Sequence, residues 1–350
     1  MEQVIRFCAT GAGRLAYCSV GEGPALVFPA WWVSHLEANW ADPSFRAFFL
    51  ALAERHTVVR YDRIGTGLSE RHRRLGAFSL EAEVEVLGEL LDQVGVKRCT
   101  LFGFSSGGCL SAVYAAAHPE RVGRIVLYNA YADGAGIADA DVRRSLVSVV
   151  RRHWGLGARV LGAVFMPEGD ADDLRQFVDL QRQGATREMA ASLLELTYAM
   201  DATDAYRRVM APALVLHRRA DRAVPYDLGL EVASLIPRAQ FVALEGSHHL
   251  PWLGDVRSLL AALSAFLGLG VYPIADRKSL RTITDELPSL SDREREVLAL
   301  VGQGLSDPQI AECLVISPHT VHRHVANIRA KLGQPSRAAA AATGARLGLI

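Results

Sequence analysis

No stretch of this chain is apolar for long enough to cross a bilayer. The longest run, residues 259–271, falls short of the roughly 20 residues required and reads as a buried helix. The N-terminus has an acid at Glu2 and no apolar h-region, so no secretory signal is expected. Cysteine is scarce and scattered. The five (Cys8, Cys18, Cys99, Cys109, Cys313) are odd in number and contain no C-x-x-C pair, which argues against a disulfide framework or zinc knuckle and for buried, reduced thiols. An excess of one charge is lacking too. With 38 basic and 38 acidic side chains the formal net charge is zero, so the whole-chain balance selects no partner and charge must be read locally. These absences lead to the expectation of a soluble cytoplasmic protein with no membrane association and no cofactor.

What is present is an ordinary globular composition, 50% hydrophobic and 22% charged over 350 residues, enough for one or two domains with a sizeable core. Short apolar runs at residues 25–29, 57–61, 99–104, 124–129, 213–217 and 240–244 read as buried strands. Residues 81–94 have helical spacing, with Val84, Leu87, Leu90, Leu91 and Val94 on one side, and residues 107–117 read as a helix of small residues. Strands alternating with helices imply an α/β fold with a largely parallel sheet. Between about residues 131 and 208 the pattern is helical and arginine-rich with no clear strand, the signature of a helical cap over one end of the sheet. Pro273, Pro288 and a polar run interrupt the pattern after residue 270. We therefore expect a first domain at 1–270, a linker at 271–286 and a small all-α domain at 287–350.

The C-terminal domain contains four short helical patterns. Two of them, residues 307–314 and 318–332, are separated by Val315-Ile316-Ser317, which describes a helix-turn-helix. Ser317 is a good N-cap and Pro318 a good first helical residue. Val321, Val325, Ile328 and Leu332 fall at i, i+4, i+7 and i+11 and form one apolar stripe. The opposite face carries His322, Arg323, Arg329 and nearby Lys331. From Val315 onward there is no acidic residue, so the domain is polarised toward a basic face that a phosphate backbone would select. The apolar C-terminal helix, residues 338–350, suits either a dimer surface or packing on its own domain. His319, His322 and His324 do not share one face and no metal site is expected there.

Leu290-Ser-Asp-Arg-Glu-Arg-Glu-Val-Leu298, Gly304-Leu305, Ile310-Ala311, Ile316-Ser317, Thr320-Val321, His324-Val325, Asn327-Ile328 and Lys331-Leu332-Gly333 resemble the LuxR-type DNA-binding domain over nearly all of residues 290–350. The resemblance implies insertion of residues 318–332 into the major groove, as a homodimer on a roughly palindromic operator in double-stranded DNA. Arg323 is the candidate base reader, because arginine pairs bidentately with guanine. Thr320 and Lys331 are candidate phosphate contacts. Where the family often has lysine this chain has His322, which is expected to weaken one contact and make affinity more pH-dependent.

In the first domain, Gly103-Phe104-Ser105-Ser106-Gly107 is a G-x-S-x-G motif between a candidate strand and a small-residue helix. That context is a nucleophile elbow, a tight turn that exposes Ser105. Ser106 does not fit, since Phe104 would then occupy a glycine position. A nucleophilic serine needs a base and an orienting acid, here expected in the order Ser, Asp, His. Asp221 follows the strand at 213–217, and His249 follows the strand at 240–244, with His248 its neighbour and competitor. Residues 25–267 resemble the α/β-hydrolase family, with His249-Leu-Pro-Trp252 and the loop Tyr61-Asp62-Arg63-Ile-Gly65-Thr-Gly67-Leu-Ser69 carrying part of the likeness. Where that family usually has His-Gly in its oxyanion loop, this chain has Pro29-Ala30-Trp31-Trp32. Backbone amides form an oxyanion hole, so the resemblance implies Trp31 and Ser106 as its donors. Trp32 and Trp252 are candidate walls of an apolar ligand pocket.

Two functions fit these residues. One is a DNA-binding transcriptional regulator whose first domain senses a small apolar ester, lactone or amide, with or without hydrolysing it. The other is a serine esterase-class hydrolase whose helix-turn-helix tail serves localisation or dimerisation. A third, a non-catalytic interaction protein that kept the fold, rests only on the altered oxyanion loop.

Overall fold

The computed structural model describes residues 1–71, 78–270, 272, 290–332, 334 and 336–346. It divides into two compact units, Met1–Ile274 and Ala275–Ile350. The expected linker, residues 271–286, lies outside the described residues except for Tyr272.

The first unit is built on eight strands: β1 (Val4–Thr10), β2 (Gly13–Val20), β3 (Ala25–Phe28), β4 (Thr57–Tyr61), β5 (Cys99–Phe104), β6 (Val122–Tyr128), β7 (Ala213–Arg218) and β8 (Ala239–Leu244). They form one sheet in the order β1-β2-β4-β3-β5-β6-β7-β8. Every pairing among β3 to β8 is parallel, while β1 and β2 form an antiparallel hairpin joined antiparallel to β4. The hairpin was not foreseen. β1 is an edge strand whose apolar Val4 and Phe7 stay half exposed, so its sequence lacks the buried run that marks the central strands.

The central strands are buried on both faces, and their side chains divide with a period of two. Phe102, Val126, Leu214 and Leu216 face one core with α2 (Pro43–Ala53) and α11 (Val256–Leu267). Leu101, Ile125, Leu127 and Val215 face a second core with α3 (Leu80–Gln93) and α4 (Gly107–Ala117). α1 (Leu36–Ala41) precedes α2, and α10 (Tyr226–Leu235) links β7 to β8. Between β6 and β7 the chain leaves the sheet for α5 (Ala140–Arg152), α6 (Trp154–Phe165), α7 (Ala171–Gly184), α8 (Arg187–Ala199) and α9 (Thr203–Arg207), a wholly helical insertion that contributes Phe177, Met189 and Leu193 to the first core.

The second unit packs α12 (Asp292–Gly302), α13 (Asp307–Leu314), α14 (Pro318–Lys331) and α15 (Arg337–Arg346) around Val297, Leu298, Ile310, Val321, Ile328 and Leu332. Ala340 and Ala341 are buried in the same cluster, so this part of α15 packs on its own unit. Val315, between α13 and α14, sits at φ +53 with its side chain 89% exposed. A β-branched residue is strained there, and the tight helix-turn-helix geometry holds it. Cysteine burial was expected throughout; Cys18, Cys99 and Cys109 are buried, but Cys313 is exposed on the outer side of α13.

An arginine–glutamate ion pair is sealed in the first unit. Arg63 lies 2.9 Å from Glu83 of α3, with both side chains 1% exposed, and fastens the loop after β4 to that helix. Removing one partner would leave an uncompensated buried charge. Arg63→Met is expected to cost about 3–5 kcal/mol in denaturant unfolding, and Arg63→Met combined with Glu83→Leu to regain most of it. A double variant no better than the single one would show that the pair itself is not what stabilises this contact.

Candidate functional site

β5 ends against the start of α4, and the turn between them leaves no room for side chains. A Cβ on Gly103 would lie 2.5 Å from Ser111 Oγ and 2.8 Å from Gly107 O, and one on Gly108 would meet Ala130 Cβ at 2.6 Å. The turn forces Ser105 into the left-handed region at φ +53, anchored by its N–H donating to Tyr128 O at 3.0 Å. Such strain persists where the surrounding packing over-determines it. Ser106, by contrast, has helical angles as the N-cap of α4.

The loops after β7 and β8 bring Asp221 and His249 together. His249 Nδ1 is 2.7 Å from Asp221 Oδ2, in a pair whose side chains are sealed from solvent. The other carboxylate oxygen, Oδ1, accepts the amides of Ala223 at 2.8 Å and Val224 at 3.3 Å, which fixes its orientation. His249, not the neighbouring His248, meets the acid. Its imidazole lies between the rings of Phe104 and Phe165, with centroids 5.1 and 5.0 Å away. Ser105 and His249 line one small cavity together with Trp31, Trp32 and Trp252. Ser105 Oγ and His249 make no direct hydrogen bond among the described residues, a looseness common in unliganded sites.

The loop carrying Trp31 is pressed against the start of α4: a Cβ on Gly107 would lie 3.0 Å from Pro29 O and 3.3 Å from Ala30 O. The amides of Trp31 and Ser106 donate to no protein acceptor among the described residues, as an oxyanion hole requires.

Two positioning residues escaped the sequence reading. Arg218, at the end of β7, is fully buried and donates to Tyr128 Oη (2.7 Å), Glu245 O (2.6 Å), Leu253 O (2.9 Å) and Asp255 O (3.2 Å). It ties both ends of the loop that presents His249. Asn129, at φ +45 after β6, accepts the Arg218 amide and donates to His249 O at 3.2 Å. An arginine closing an apolar strand was the only hint that the sequence offered.

The helical insertion closes the cavity. Phe165 and Phe177 line it, Trp32 Nε1 donates to Gln181 Oε1, and the His249 amide donates to Phe165 O at 2.8 Å. The remaining free volume is about 10 Å³, room for one water at most.

In the second unit, α14 exposes His322, Arg323 and Arg329 and buries Val321 and Ile328. Thr320 Oγ1 lies 2.8 Å from the N-cap hydroxyl of Ser317. Lys331 Nζ lies 2.6 Å from Glu294 Oε2 of α12.

Comparison with known proteins assigns both units. Residues 30–152 match the α/β-hydrolase fold family, and residues 288–343 match the LuxR family of bacterial regulatory proteins. The chain is an α/β-hydrolase-fold domain fused to a LuxR-family DNA-binding domain. Its similar proteins include the pyrrolizixenacetamide deacetylase of Xenorhabdus hominickii, 28% identical over 73% of this chain and 96% of that protein. Another is a 2-hydroxy-6-oxo-2,4-heptadienoate hydrolase of Pseudomonas putida, 26% identical over 73% of this chain and 90% of that protein. Among solved structures, the enol-lactonase of Burkholderia xenovorans superposes with a TM-score of 0.63 at 25% identity, over 75% of this chain and all of that one.

Within the LuxR-family domain, the Lys331–Glu294 pair ties the end of α14 to α12. The sequence reading expects Lys331 to contact a phosphate; its ammonium, 42% exposed, also pairs with a carboxylate that is 5% exposed. Burial pushes the Glu294 carboxyl up. The Lys331 ammonium and the Ser291 amide and hydroxyl outweigh it and hold the group below its ordinary value. A lowered carboxyl stabilises the fold above its ordinary pKa, near 4.3, and loses that contribution as pH falls through the lowered value. Glu294→Gln is therefore expected to cost roughly 1 kcal/mol of α14 amide protection at pH 7, with the difference vanishing in acid. Equal protection of the two proteins at pH 7, read by hydrogen exchange, would show that the pair contributes nothing.

Proposed function

We propose that this regulator senses a small carbonyl compound, an ester, lactone or amide, in the hydrolase-fold cavity, and that occupancy changes its affinity for DNA. The observation that carries this reading is the narrow cavity: about 10 Å³ is free beside Ser105, and Phe165 and Phe177 of the helical insertion take up space that a larger ligand needs. A ligand then binds the displaced state and not the closed one, which is the differential affinity a switch requires. The insertion also touches the site itself, because the His249 amide donates to Phe165 O. The relatives support the ligand class, since an acetamide deacetylase, an oxo-heptadienoate hydrolase and an enol-lactonase are all named for carbonyl compounds.

The same site supports turnover. Ser105 Oγ adds to the carbonyl carbon while His249 Nε2 takes its proton, and Asp221 holds Nδ1 and stabilises the imidazolium. The amides of Trp31 and Ser106 receive the oxyanion. Collapse expels the leaving group, protonated by His249, and water then releases the acyl group by the same route. Hydrolysis would reset the switch. On the DNA side, Arg323 of α14 reads a base of a roughly palindromic operator bound by a homodimer, with His322 and Arg329 beside it and Thr320 near the backbone.

A fluorophosphonate probe is expected to add one adduct to the wild type, seen by intact mass, and none to Ser105→Ala. The adducted protein is expected to bind an operator obtained by binding-site selection with affinity changed about fivefold or more. Labelling with unchanged operator affinity would sink the sensor and leave a hydrolase whose DNA-binding domain serves localisation or dimerisation. Separately, Arg323→Ala is expected to relax one operator position and cost about 1–3 kcal/mol in binding. Intact sequence preference in that variant would remove Arg323 from base reading.

A further inference from the structure

α5 and α8 of the helical insertion flank a groove of about 550 Å³ that shares no lining residue with the Ser105 cavity. Four arginines line it, against a single carboxylate, Glu195. The arginines fall on two adjacent rows of α5. Arg143 and Arg151 lie on one with Val147 between them, Arg144 and Arg152 on the other with Ser148 between them. At 1.5 Å per residue, the two cationic ends stand roughly 12 Å apart. The charges are only partly satisfied within the protein. Arg151 pairs with Glu195 at 2.8 Å, and Arg144 pairs with exposed Asp141. Arg143 stacks over the Tyr198 ring at 5.9 Å, and its Nε is buried with no hydrogen-bond partner. Arg152 is exposed and has no carboxylate partner among the described residues.

From this we infer that the α5–α8 groove is a binding site for a small organic phosphate carrying more than one negative group. Guanidinium forks match phosphate oxygens bidentately, and four of them along one wall of the groove, two paired to carboxylates, leave positive charge that the fold does not use. The groove volume of about 550 Å³ is large enough for a ligand of nucleotide size. Tyr198 and Val147 give the middle of the groove an aromatic and apolar wall for an organic body such as a nucleobase, and the arginines beside it take the phosphate chain. The site would give the regulator a second, anionic input, carried by the same insertion that closes the Ser105 cavity.

Adenosine triphosphate without magnesium, titrated calorimetrically into the full chain, tests this. Saturable one-site binding is expected, with affinity reduced at least tenfold in Arg152→Glu and in Arg144→Glu, both at exposed positions. Arg323→Ala, on the DNA-binding domain, is expected to bind like the wild type, and adenosine without phosphate is expected not to bind. The cap variants should keep the wild-type circular dichroism spectrum and melting temperature, which shows that they are folded. The inference fails if the wild type shows no saturable binding, if the two cap variants bind normally, or if adenosine binds as tightly as the triphosphate. It fails as well if Arg323→Ala abolishes binding, which would put the nucleotide on the DNA-reading face. Loss of random duplex DNA affinity in Arg152→Glu, with nucleotide binding unchanged, would make the groove a DNA contact instead. None of these outcomes depends on whether Ser105 is reactive, so they are distinct from failure of the sensor reading.

Discussion

Ser105 is held at φ +53 because β5 and α4 approach too closely for any residue but glycine on either side of it. Much of the first unit follows from that packing. The turn aims α4 so that the Ser106 amide lies at the helix N-terminus, where the partial positive charge collects. It also presses the Pro29–Ala30 carbonyls against Gly107 and thereby sets Trp31 beside the serine. The left-handed backbone costs of order 1–2 kcal/mol, small against the two apolar cores that enforce it. Strain is therefore localised at the one residue whose side chain must stand clear of its neighbours.

How much of this was legible in the sequence depended on how local the signal was. The elbow announced itself because three small residues and a serine must occur within five positions. The helix-turn-helix did so because Ser317, Pro318 and the Val321–Ile328 stripe are consecutive turns of one segment. The order Ser, Asp, His was legible from the ends of buried strands. The choice of His249 over His248 rested on likeness alone, and only the 2.7 Å contact with Asp221 brings one of the two rings to the acid. Arg218 was invisible, because its role lies in four acceptors spread over more than a hundred residues. The β1–β2 hairpin was missed because an edge strand buries little, and the role of Lys331 because its partner Glu294 sits on a different helix.

The helical insertion carries its arginines as its most visible sequence feature, yet its apolar residues do the closing. Phe165 and Phe177 take up the space in front of Ser105, and two further hydrogen bonds hold the insertion there, Gly67 N–H to Gly184 O at 2.8 Å and Arg71 Nη2 to Gln183 O at 2.6 Å. Composition reveals helices here but not the volume they leave, since a cavity is a difference between large packed volumes.

That difference sets the terms on which a ligand acts. Displacing the insertion would mean giving up at least five hydrogen bonds among the described residues, at about 0.5–1.5 kcal/mol each, and rehydrating part of two phenylalanine side chains. A ligand that buries roughly 300 Å² of apolar surface recovers about 7 kcal/mol at 25 cal/mol/Å². The two sums are of similar size, so a ligand of that class shifts the equilibrium without locking it. Smaller molecules fail for want of apolar area, and strongly polar ones because the tryptophan-lined walls offer few partners. On the proposed sensing, such a gate would select on size and apolarity before any chemistry at Ser105, and selectivity of that kind would suit a receptor coupled to a DNA-binding domain.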